Sequence, residues 1–306
     1  MKEIKSPWGS VGTEIKKPFQ SVSAVMKAAK LDYTVSLRDC FLSDPDNPDK
    51  IGDRVTKVKA TVRDDTNQQI GVVGERYVPL QNVESFAWFQ EFIHHKIASI
   101  EHAGTLGSSN IVFIEAKVAI DPVEIVPEDF IQSYITLLNS FDGSTSIFTG
   151  FMPIRVNSMC MNPKLKTGIF DRTKHTKNAL VGLEKLREIM SVHSEEFFET
   201  CEQYKHLASR PIKDKTLDKY IRAVIGNDNP EREMRESRVQ TIKDLFEGGR
   251  GATEFTRNYY GAFQAVVEYL NYIVGRETSS RLRALWVGNG AVINQKALTT
   301  ALKLAR

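Results

Sequence analysis

Hydrophobic and polar residues alternate along much of the first half of the chain and recur every three to four positions along the second. Val72, Val73, Tyr77, Val78 and Leu80 are β-formers interrupted by Gly74, and Pro79 marks the end of an edge strand. Asn82 then has the character of an N-cap, Glu84 puts negative charge in a first turn, and Phe86, Phe89, Phe92 and Ile93 follow at helical spacing. Residues 71–93 are therefore expected to form a strand that runs into a helix.

The same periodicities predict the elements on either side. Residues 23–30 form a short helix, 34–41 a strand and 43–50 a loop rich in Asp, Asn and Pro. Residues 56–63 alternate as a strand and join the strand at Gly71 through the polar run 64–69 as a hairpin. Two further hairpins are expected: 97–106 with 111–120 around 107–110, and 130–141 with 144–151 around Asp142 and Gly143. From about Asp171 the period changes to that of helices, over 173–209, 213–225, 230–246 and 253–274. Gly288, Asn289 and Gly290 precede a terminal helix that ends at Leu304. The predicted fold is α+β: an antiparallel β-hairpin sheet crossed by the Phe86 helix, with a helical C-terminal half. The expected divisions are an N-terminal segment 1–50, a β-rich core 51–170 and a helical region 171–306 packed on that core.

Several blocks resemble a family of phage- and plasmid-like proteins of unknown function. Residues 71–93 match its first signature, residues 138–156 (LNSFDGSTSIFTGFMPIRV) its second, and 172–179 (RTKHTKNA) its third; 261–270 and 281–297 are similar to its C-terminal region. The blocks lie in the family's order across about residues 50–300. The resemblance implies a phage, prophage or plasmid gene and supplies no catalytic residues. A looser likeness of architecture, hairpins with a helix packed across them, links such proteins to phage single-strand annealing recombinases.

Composition narrows the class only a little. The 306 residues are 41% hydrophobic and 26% charged, with a formal net charge of +3, so distribution matters more than total. Cys40, Cys160 and Cys201 are three and widely spaced, which points away from a disulfide framework and towards a reducing cytoplasm. The first residues lack the apolar run of a signal peptide, and no segment has a membrane helix's length of apolar sequence. A host-cell cytoplasmic protein without a membrane partner is expected.

Candidate chemistry is sparse. Walker A and nucleophile-elbow patterns do not occur, and 248–251 (GGRG) is too short for a dinucleotide fingerprint and reads as a flexible connection between helices. His193, Cys201 and His206 share a helix, but at 100° per residue successive members lie about 80° and about 140° apart, which argues against a metal site. Cys160 follows Arg155 closely enough for a lowered thiol pKa, and equally fits a small core residue. No catalytic residue, metal or cofactor is assigned, and the chain is expected not to be an enzyme.

Charge is the stronger signal. Arg155, Lys164, Lys166, Arg172, Lys174, Lys177, Lys185 and Arg187, with His175 among them, face only Asp171 and Glu184, around a loop and a helix start. A second basic area contains Arg281 and Arg283, with Tyr260 and Trp286 nearby. Aromatics among arginines suit a single-strand groove, whereas Phe263, Val266, Val267 and Leu270 mark the same region as a packing helix. The leading expectation is a single-stranded DNA-binding protein, active in annealing, recombination or replication and assembled as a homo-oligomer. Arg155, Lys164, Lys166, Arg172, Lys174, His175, Lys177, Arg281 and Arg283 would neutralise the DNA backbone. The alternative is a non-enzymatic factor that binds a host defence protein, with Trp88 presented by the Phe86 helix.

Overall fold

The computed structural model describes residues 8–16, 21–47, 49–87, 89–107, 110–144, 148–163, 183–226 and 236–306. The architecture is α+β. Its centre is an antiparallel sheet of strands β1 (Thr13–Glu14), β5 (Ala98–Leu106), β6 (Ile111–Val118), β8 (Asp129–Ser140), β9 (Phe148–Arg155) and β10 (Cys160–Met161), in that order, with β7 (Val123–Val126) paired to the start of β8. A second sheet contains β2 (Val35–Ser43), β3 (Ile51–Arg63) and β4 (Gln69–Gly74).

The hairpins expected from the sequence are present. β5 and β6 pair from Ala98↔Val118 to Leu106↔Ile111, and β8 and β9 from Ile131↔Arg155 to Leu138↔Phe148. Gly143 takes a φ of +71° in the second turn, which favours glycine, and Asp142 Oδ1 accepts a hydrogen bond from the Ser144 N–H at 2.8 Å.

One face of the central sheet is covered by α1 (Val22–Ala28), α2 (Asn82–Phe86) and α3 (Phe89–His94). Phe86, Phe89 and Phe92 are buried there with Val25, Leu31, Val112 and Leu137. Burying each of these aromatic rings contributes about 1.5–3 kcal/mol. The other face carries α4 (Leu183–Ala208), α5 (Asp214–Ile225), α6 (Glu236–Gly248), α7 (Tyr259–Glu268), α8 (Thr278–Val287) and α9 (Asn289–Leu304). Phe113, Leu138 and Phe151 of the sheet meet Tyr204, Phe263 and Trp286 in that second core. Residues 21–43 belong to the same body as the rest, since α1 lies against the sheet and β2 pairs along β3.

Three local expectations need correction. The strand at Gly71 stops at Gly74, because Tyr77 Oη donates to the Ser140 carbonyl at 2.9 Å and Asn139 Nδ2 donates to that of Leu80, also at 2.9 Å. These bonds tie residues 75–80 across the end of β8. Asn82 does not cap its helix: Gln81 is the N-cap, in a capping box with Glu84, while Asn82 is buried and donates to the Leu31 carbonyl. The expected single helix is two, divided at Ala87, whose carbonyl accepts the Gln90 N–H in a tighter, three-residue turn. After α7 the chain widens into a π-helix, Tyr269–Ile273, and turns into α8.

Candidate functional site

The residues expected to meet phosphate separate into three groups. Lys164, Lys166, Arg172, Lys174, His175 and Lys177 lie outside the described residues. Arg155 lies inside the molecule, against expectation. Arg281 and Arg283 lie on α8, where Arg281 borders a cleft and Arg283 is exposed.

Arg155 is only 3% exposed and holds Asp129 through Nε, at 2.9 and 2.8 Å, and through Nη2. Nη2 also donates to the Gly251 carbonyl at 2.6 Å, and the guanidinium carbon sits 5.4 Å from the centre of the Tyr260 ring. A guanidinium this buried, and bonded inward through Nε and Nη2, is out of a phosphate's reach, so its role is to fasten β8 and β9 to the helical half. The glycine-rich 248–251 run is part of the same construction rather than a flexible link. A side chain at Gly251 would occupy the Arg155 guanidinium, and the Arg250 N–H bonds both Glu268 oxygens at 3.0 Å. The Arg250 side chain stacks 3.8 Å from the Tyr272 ring centre.

Nucleophilic chemistry finds no accessible centre among the candidates. Burial pushes the Cys160 thiol up to about 12, with the Ser158 side chain and Arg155 too weak to offset it. His193 Nε2 lies 3.1 Å from Ser133 Oγ, a spacing seen in hydrolases, but both residues are buried and Phe151 packs edge-on to the imidazole at 3.8 Å. Burial lowers the His193 pKa to about 3, so the ring is neutral at physiological pH. Among the described residues, no group of three or more His, Cys, Asp or Glu side chains is placed to hold a metal ion. Nor is any helix among them long and apolar enough to cross a membrane. Trp88 lies outside the described residues, and Phe86, Phe89 and Phe92 of its segment face the core.

Positive charge and concavity coincide in a cleft beside Arg281, where no acid joins the lining, unlike the cavity of about 520 Å³ in which Lys96 and Lys117 lie with Glu101. About 380 Å³ in volume, the cleft opens between the end of α5, α6, the π-helix, α8 and the start of α9. Leu270, Ile273, Leu285 and Ile293 form apolar walls, Tyr269 lies along one side, and Arg238 and Arg281 supply charge. Neither arginine is in an ion pair among the described residues. Arg281 Nη2 donates to Thr278 Oγ1 at 3.0 Å, while its Nε is buried with no partner. Desolvation lowers the Arg281 pKa, although guanidinium remains charged. A half-buried cation without a counter-ion is costly, and an incoming anion would relieve that cost.

The backbone adds to the field. Gly288 and Gly290 let α9 start directly against α8, since a Cβ at Gly290 would lie 2.9 Å from the Ala284 carbonyl oxygen. No side chain caps α9, and Asn289 and Gly290 of its first turn line the cleft, which places the positive end of the helix dipole there. Between Tyr269 and Arg306 six cations face a single acid, Glu277. By contrast, Arg222 and Lys243 are engaged with Asp218, and Arg257 with Glu247.

Sequence reasoning singled out Arg281 and missed Arg238, Tyr269 and the start of α9 as its neighbours. They come from separate helices, and only the glycine pair flanking Asn289 hinted at a tight helix junction. Trp286, weighed as a stacking residue, is core: its Nε1 donates to the Met161 sulfur at 3.3 Å and its ring meets Phe113 edge-on at 5.1 Å. Tyr260 is likewise buried.

Comparison with known proteins adds a family and no activity. No curated protein and no solved structure matches the chain. A family profile described as a domain of unknown function (DUF932) matches residues 69–286, from β4 to Trp286, and thus takes in both the sheet and most of the cleft. On that match, the chain belongs to the DUF932 family of domains of unknown function.

Proposed function

We propose that the protein binds single-stranded DNA by its backbone, as a non-catalytic factor in annealing, recombination or replication of a phage or plasmid genome. The observation that supports this reading is the cleft containing Arg238 and Arg281, two cations without ion-pair partners among the described residues, beside the uncapped start of α9. Arginine and free helix N–H groups are a natural phosphate site, and apolar walls with Tyr269 suit the face of a base. A volume of about 380 Å³ is on the scale of one nucleotide. A base can enter only when it is unpaired, which favours single strands over duplex. Arg276, just before α8, and Arg283 on it, both exposed and without ion pairs among the described residues, extend the positive surface. Lys164, Lys166, Arg172, Lys174 and Lys177 would add further phosphate contacts.

The test is a fluorescence-anisotropy titration with a labelled thymidine oligonucleotide at low salt, using the wild type and the Arg238→Gln/Arg281→Gln variant. Unlabelled duplex and thymidine monophosphate serve as competitors. Tight binding that the double variant weakens at least tenfold, and that single strands compete best, supports the reading. Equal affinity of the two proteins would remove the cleft from the interface. Competition by the mononucleotide as effective as by the strand would make the cleft a small-molecule site instead.

A further inference from the structure

The hairpin of β2 and β3 outgrows its support. β4 pairs with β3 only from Val58↔Gly74 to Val62↔Gln69, so residues 40–47 and 49–56 form a two-stranded ribbon running roughly 20 Å beyond β4. Isolated two-stranded ribbons are marginally stable in water. This one also exposes large apolar side chains: Phe41, Leu42 and Ile51 are 53%, 59% and 75% exposed. Phe41 is registered opposite Arg54 and Ser43 opposite Ile51, with a register shift between the two pairs, and the adjacent Phe41 and Leu42 point to opposite faces. Both faces of the tip therefore lack cover.

The ribbon's charge runs along its length. Asp46, Asp49 and Asp53 are exposed towards the tip, where the one cation among the described residues, Lys50, is held by Asp44 at 3.3 Å, and Arg38 and Lys57 are exposed at the root. Asp39 holds Arg54 at 3.0 Å and Lys59 at 2.5 Å, and Lys57, with φ +67°, sits in the bulge where the register shifts between Asp39 and Phe41. β2 is an edge strand, so its outer backbone groups are open to pairing beyond Val35, where Gln81 takes the edge.

We infer that the ribbon is a homotypic docking arm whose occupant is the ribbon of a second copy, laid antiparallel so that each acidic tip meets the other's basic root. A two-fold axis makes the match self-complementary: Asp46, Asp49 and Asp53 of one copy face Arg38 and Lys57 of the other, twice over. Phe41, Leu42 and Ile51 are then covered by their own counterparts, and the β2 edges pair into a continuous sheet. This inference does not depend on the DNA reading, although paired copies would place two clefts along one strand.

Light scattering on the full chain across 1–100 µM decides it, with circular dichroism as the control for folding. The wild type is expected to be a dimer or a multiple of it, and Phe41→Asp/Ile51→Asp a folded monomer. Lys57→Glu should raise the dissociation constant about tenfold, and Asp49→Lys in the same chain should restore it, because each altered tip meets an altered root. A wild type that stays monomeric at 100 µM overturns the inference. So does an oligomer indifferent to the Phe41 and Ile51 changes, or a Lys57→Glu defect that Asp49→Lys deepens.

Discussion

Replacing Arg155 separates a structural cation from a ligand-binding one. Arg155→Ala leaves Asp129, itself buried, without its bidentate partner and the Gly251 carbonyl without its donor. Removing one member of a buried pair strands the other charge, which costs about 3–5 kcal/mol. The lost bond to Gly251 contributes about 1 kcal/mol of that kind of loss on its own. At roughly 2–4 °C per kcal/mol for large domains, the melting temperature should fall on the order of 10 °C. Arg155→Met with Asp129→Leu removes both charges, so most of the loss should return, short of the share due to Gly251. Urea unfolding at 25 °C of the wild type, the single variant and the double variant measures all three terms. DNA affinity of the folded single variant should match the wild type, because no Arg155 donor reaches the surface. A single variant within about 1 kcal/mol of wild type would refute the structural account, as would a double variant no better than the single.

Four shorter predictions follow from the same structure. Burial, opposed by Thr136 and Trp8, raises the Glu115 pKa to about 8. The folded state therefore binds a proton that the unfolded state has released between about pH 4.5 and 8, and stability falls as pH rises through that window. Glu115→Gln should flatten the fall and gain on the order of 3 kcal/mol at pH 7, read by urea unfolding at pH 5 and pH 7. His193 has the opposite sense: its lowered pKa means that the unfolded chain takes up a proton first, so stability is lost on acidification from about pH 6.5 towards 3, and His193→Gln should reduce that slope. Thiol labelling under native conditions should modify Cys40 in preference to Cys160 and Cys201, with unfolding required for the other two. Changing Arg172, Lys174 and Lys177 together to Glu should leave circular dichroism unchanged and weaken single-strand binding irrespective of sequence, as measured by anisotropy.

The hairpins were legible because turn residues separate alternating runs: Asp142 and Gly143 announce the β8–β9 turn, and 107–110 the β5–β6 turn. The phenylalanine helix was legible in its buried face and not in its break, which depends on a three-residue turn at Ala87. No helix was assigned over 276–287, where Arg281 and Arg283 were read only as part of a basic area, although Leu282, Leu285 and Trp286 carry the helical spacing of α8. Arg155 was misread for want of its partner. The β8–β9 register sets Arg155 opposite Ile131, two residues from Asp129, so a register drawn from the turn would have brought the two charges together. The cleft lay beyond such reasoning altogether. Its arginines and Tyr269 sit on different helices, and only packing makes them neighbours.

The most direct measurement of the central claim is the dependence of single-strand affinity on salt. Anisotropy of a labelled thymidine oligonucleotide between 50 and 300 mM salt should give a straight line of log affinity against log salt with a negative slope. Each backbone contact contributes about 0.7 to that slope on a single strand. With one phosphate held jointly by Arg238 and Arg281, the Arg238→Gln/Arg281→Gln variant should have a slope shallower by about 0.7, while Arg155→Met/Asp129→Leu keeps the wild-type slope. A wild type that does not bind at 50 mM salt, or a double arginine variant with an unchanged slope, contradicts the account.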